Sequence, residues 1–65
     1  MIKNEQEYKI TKLVLKSLLE YIVDSETRMK SLRMAPMQIS LAIDPLRAYA
    51  ASLQEDISEY EKNRA

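Results

Sequence analysis

The sequence predicts an all-α protein: a helical hairpin of two long helices, with a kink or short helix near the bend, dimerising into a helical bundle. Three observations carry that expectation. Leu46, Tyr49, Leu53, Ile57 and Tyr60 recur in steps of three or four, one stripe along a helix. Leu15, Leu18, Ile22, Met29 and Leu32 form a second seam at coiled-coil spacing, interrupted at Ser25. Between Lys12 and Arg33 there is no Pro or Gly, and Leu, Lys, Glu and Arg dominate, all good helix formers.

Length and composition bound what such a hairpin can be. With 65 residues the chain is one small domain. A domain of that size buries only about 60% of its unfolded surface, which leaves it marginal unless stapled or oligomeric. No Cys or His is present, so neither a disulfide nor a usual zinc site is expected, and no cofactor is implied. Ten basic and ten acidic residues balance to zero, which argues against nonspecific nucleic-acid binding. The absence of Gly excludes phosphate-cradling loops and argues against tight turns at positive φ. Unbroken apolar runs are only a few residues long, and the order of a signal peptide is missing, so a cytoplasmic, non-membrane location is expected.

The elements follow in order. Residues 1–11 read as an N-terminal arm folded onto the helices, since Ile2, Tyr8 and Ile10 are unlike a free tail. Thr11 suits the N-cap of a helix opening at Lys12, with Ile10 and Leu15 spaced as a hydrophobic staple. The first helix spans 12–34, ending where Pro36 disfavours helix at Ala35. Asp24 with Arg28, and Glu26 with Lys30, are favourable pairs one turn apart. In residues 37–43 the alternation of Ile39, Leu41 and Ile43 fits a short strand, but a short helix is favoured because a lone strand has no partner. Asp44 and Pro45 then look like an N-cap and first helical residue, opening a second helix over 45–63. Lys62 and Arg64 suit its C-terminal end.

Little in the chain points to chemistry. Glu55, Asp56, Glu59 and Glu61 are an acidic cluster without His, Cys or a glycine turn beside them, and a solvated helix face accounts for them. Lys9, Lys12 and Lys16 make a basic edge next to Glu5 and Glu7, with no aromatic interleaving for stacking bases. Met29, Met34 and Met37 gather at the bend as gap-fillers. Six serines have no histidine to activate them.

Two stretches resemble a known family. The opening M-I-K-N-E-Q-E-Y-K-I-T-K is similar to the start of small bacterial regulators, in which M-I-K-N-E-x-x-Y-x-I-T-K leads into a long helix. The closing L-R-A-Y-A-A-S-L-Q-E-D-I-S-E-Y-E resembles their second helix. In that family the region precedes a helix-turn-helix domain of the phage-repressor type, and many members are transcriptional regulators or antitoxins. The resemblance implies the helical association module without its DNA reader, so no DNA-contacting residue is carried over. Val14 and Leu19 stand where the family is usually polar, and Pro45 where its second helix runs on.

The functional expectation is a non-enzymatic, self-associating interaction module, a homo-oligomer with a dimer favoured. Its interface residues are expected to be Leu13, Val14, Leu15, Leu18, Leu19, Ile22, Leu46, Tyr49, Leu53, Ile57 and Tyr60. The alternative is an antitoxin-like protein that binds a toxin or regulator chain through the apolar face of the first helix. A weaker one is a DNA-associated regulator whose reader lies on another chain.

Overall fold

The computed structural model describes residues 1–64 as an antiparallel hairpin of two α-helices. They are α1, Glu5–Ser31, and α2, Pro36–Asn63.

The N-terminal arm expected over residues 1–11 is mostly helix. Asn4 is the N-cap: its backbone is extended, and its side chain accepts from the Glu7 N–H at 2.8 Å. Glu7 reaches back to accept from the Lys3 N–H at 3.0 Å. Thr11 therefore caps nothing; its hydroxyl sits inside the helix and donates to the Glu7 carbonyl at 2.7 Å. The missed signal is Asn4-x-x-Glu7, a capping pair seven residues upstream of the one inferred.

α1 stops at Ser31, short of Met34, and its end corrects a second expectation. Arg33 has φ 61, so a chain without glycine still makes a left-handed turn. The Met34 N–H bonds the Met29 carbonyl at 3.1 Å, and the Arg33 N–H bonds the Lys30 carbonyl at 3.0 Å. This is the Schellman arrangement, with Arg33 where glycine is usual. Met29 and Met34 both pack on the core beneath it, the apolar contact that commonly accompanies the motif.

α2 opens with Pro36 at its start, after Ala35. Alanine has no side-chain acceptor, and only Gln38 contributes a cap, accepting from the Ala35 N–H at 3.3 Å. The segment 37–43 is helical as favoured, but it is not separate. One helix runs through Asp44 and Pro45, so Asp44 is an interior residue rather than a cap. Pro45 lies on the exposed side, away from α1, where its ring meets solvent. Ile39 and Ile43, both buried one turn before it, are held in line with the seam that follows.

Both helices present a seam with strict three–four spacing. In α1 it is Tyr8, Thr11, Leu15, Leu18, Ile22, Ser25 and Met29; in α2 it is Ile39, Ile43, Leu46, Ala50, Leu53, Ile57 and Tyr60. Every one of these residues is buried or half-buried. Ile22, Ile39, Ile43 and Ala50 form the centre, and Ile43 is 1% exposed. Ala50, not Tyr49, occupies the seam, and Leu32 falls outside it. The result is a rod of 46 × 16 × 13 Å. Its radius of gyration is 14.5 Å, where a compact chain of this length has about 11 Å. Among the described residues no helix is long and apolar enough to cross a membrane.

Candidate interaction surface

The hairpin itself uses most of the residues expected at an interface. Ile22 and Ile57 are buried between the helices, and Leu15, Leu18, Leu46, Leu53 and Tyr60 are half-buried there. Leu13, Val14, Leu19 and Tyr49 stay exposed. The division follows helix geometry: the first seven lie on the two seams, whereas the last four flank or oppose them.

The flanks of the seams differ in character. In an antiparallel pair, residues just after the seam positions Thr11, Leu18, Ser25, Leu46, Leu53 and Tyr60 share one broad face of the rod. That face is polar. Glu26 pairs with Arg47 across it at 2.8 Å, so Glu26 turns to the other helix rather than to Lys30. A shallow groove on the same face is lined by Lys12, Lys16, Leu19, Gln54, Ser58 and Glu61, among others.

The residues just before the seam share the opposite face. On α1 they are Glu7, Val14, Tyr21 and Arg28; on α2 they are Ala42, Tyr49 and Asp56. The charged residues of this face are Glu7, Arg28 and Asp56. Tyr21 is 58% and Tyr49 54% exposed, and the antiparallel register between the Tyr8–Tyr60 contact and the Glu26–Arg47 pair brings them level. In a two-helix coiled coil these flanking positions are commonly Glu or Lys. Here the middle of the face is Val, Tyr and Ala.

Polar contacts concentrate at the open end of the hairpin. The Tyr8 and Tyr60 rings stack with centroids 5.1 Å apart. The Tyr8 hydroxyl donates to Glu61, and the Tyr60 hydroxyl to Glu5 at 3.3 Å. Arg64 closes on Glu5 at 2.7 Å and lies over the Tyr8 ring, with Lys12 on the same ring. Partial burial, then the charge and hydrogen bond of Glu5, push the Tyr60 pKa above its ordinary 10.0. Glu5 likewise raises that of Arg64.

The acidic residues singled out by sequence are spread by this arrangement. Asp56 faces the N-terminal ammonium at 3.6 Å and Glu61 accepts from Tyr8, while Glu55 and Glu59 lie exposed. Among the described residues no group of three or more potential metal ligands comes together. Met29 and Met34 fill the core at the bend as expected, but Met37, expected with them, is 75% exposed on the outside of α2, beside Leu41 at 72%, because the helix running unbroken through Pro45 turns both away from α1. Neither family models, curated proteins nor solved structures yield a match to this chain.

Proposed function

We propose that this protein is a non-enzymatic, self-associating helical module, whose hairpin completes its core against a second copy. The observation that carries this reading is area. The chain has an accessible surface of 5211 Å². A compact monomer of 7.6 kDa has roughly 4,300 Å². The excess, on the order of 900 Å², matches what one partner buries in a standard protein–protein interface, about 800 Å². It includes large apolar side chains on α1 that the hairpin leaves uncovered, Leu13, Val14, Leu19, Tyr21 and Val23 among them.

Association of this kind fits the resemblance to the N-terminal helices of small regulators, and any part in transcription would run through another chain that reads DNA. A second reading, binding to a different protein in the manner of an antitoxin, is favoured by Met37 and Leu41, which stand out on a separate part of the rod. Light scattering and sedimentation from nanomolar to high micromolar concentration test the first reading. A discrete oligomer is expected, and a folded monomer throughout the range overturns it.

A further inference from the structure

We infer that the second copy docks on the broad face carrying Val14, Tyr21, Ala42 and Tyr49, with the two hairpins lying antiparallel about a two-fold axis near Leu18 and Ala50. The inference rests on the self-association proposed above and specifies its surface and symmetry.

The choice of face follows from the flanks of the two seams. The face with the Glu26–Arg47 pair already spends its charged groups within the hairpin, and Lys12, Lys16 and Glu61 would each lose water if it were covered. The opposite face loses less on burial, because Val14, Tyr21, Ala42 and Tyr49 are uncharged and Asp56 already faces the N-terminal ammonium. It is also large enough. The rod measures 46 × 16 Å across its broad side, a footprint of roughly 740 Å² against the ~800 Å² per partner of a stable interface.

The orientation follows from charge complementarity in the row along α1. Glu7, Val14, Tyr21 and Arg28 are evenly spaced, with an acid at one end and a base at the other. A two-fold axis through the middle of this row puts α1 of one copy antiparallel to α1 of its partner. Glu7 then meets Arg28 of the partner subunit, and Val14 meets Tyr21 of the partner subunit, each pair occurring twice as an isologous contact requires. The same axis crosses α2 near Ala50, level with Leu18, so the two rods overlap along most of their length. The other orientation, with both bends at one end, sets the Val14 level against the acidic Asp56 and leaves Arg28 only the Asp24 of its own helix, 2.6 Å away.

The chain has no cysteine, so introduced thiols report contacts without background. Val14→Cys and Tyr21→Cys proteins are mixed and mildly oxidised. The mixture is expected to give a covalent dimer containing one chain of each, while either variant alone gives little, because only the mixed pair comes within disulfide reach. In parallel, sedimentation follows Glu7→Arg, Arg28→Glu and the double swap, expecting weakened association in each single variant and recovery in the double. Tyr21→Glu, at an exposed position that leaves the hairpin folded by circular dichroism, is expected to raise the dissociation constant at least about thirtyfold. Cross-linking of Tyr21→Cys with Tyr49→Cys instead would overturn the antiparallel orientation. Dissociation by Leu19→Glu but not by Tyr21→Glu would overturn the face while leaving self-association intact. A wild-type chain that stays monomeric would remove the underlying reading and this inference with it.

Discussion

Replacing Pro45 with alanine should stabilise the protein substantially. Pro45 stands ten residues into the 28-residue helix α2. It has no N–H to offer the Leu41 carbonyl, and its ring crowds that carbonyl from the following turn. An interior proline costs about 3 kcal/mol relative to alanine. No core contact offsets this at the site itself, since Pro45 is exposed and the buried residues nearby, Ile43 and Ala50, belong to other turns. The full difference should therefore appear on substitution. For a domain of this size each kcal/mol moves the melting temperature by about 4–8 °C, so Pro45→Ala should raise it by about 12–24 °C. Thermal and urea melts at one fixed protein concentration measure it, because association makes melting concentration-dependent. Asp44→Ala is the control: as an interior residue it should change little, whereas an N-cap would lose about 1 kcal/mol. An unchanged or lowered melting temperature in Pro45→Ala, with a loss in Asp44→Ala, would refute the continuous helix and restore a break at that point.

Three further outcomes are expected. Arg33→Gly should stabilise by about 1 kcal/mol, since a side chain at positive φ costs roughly 1–2 kcal/mol and the extra freedom of glycine in the unfolded chain returns part of it; a destabilised variant in chemical denaturation would argue against the left-handed turn. Asn4→Ala should cost about 1 kcal/mol and Thr11→Ala much less, by melts compared at equal concentration; the reverse order would place the start of α1 at Lys12. Tyr60 should ionise above 10, as seen in the difference between wild-type and Tyr60→Phe absorbance titrations, and Glu5→Gln should lower its pKa. A pKa raised on folding contributes stability that is complete below the unfolded value and lost as pH climbs through the folded one, so the open end should loosen only above pH 10. Ionisation of Tyr60 at or below 10 would contradict the contact with Glu5.

What the sequence made legible was the seam. Leu15, Leu18 and Ile22, and Leu46, Leu53 and Ile57, lie where their spacing put them, because burial of these side chains dominates the choice of helix face. The boundaries were less legible for three separate reasons. Local propensity makes Pro45 look like a break, but the burial of Ile39 and Ile43 carries α2 across it. Arg33 gives no sequence signal, because glycine is what marks a left-handed turn, while here two backbone hydrogen bonds hold the conformation. The start at Asn4 is hidden in the sequence because Tyr8 looks like an isolated aromatic until its partner Tyr60, 52 positions later, is brought against it. As for the surface, Val14 and Tyr49 are apolar by sequence, but their shared face depends on the antiparallel register, which spacing within one helix does not encode.

The clasp at the open end has a mechanical consequence. Glu5 with Arg64, and Tyr8 with Tyr60, join the two chain ends of the described rod. Tension applied through those ends would pull at right angles to the helix axes rather than along them. The load would fall first on the clasp alone, then on Thr11 and Ile57, then on Leu15 and Leu53, each layer bearing it after the one before has parted. A hairpin loaded in this way peels like a zipper. Gripped instead at the bend and at one end, the same seam would be sheared along its length, with many layers resisting together.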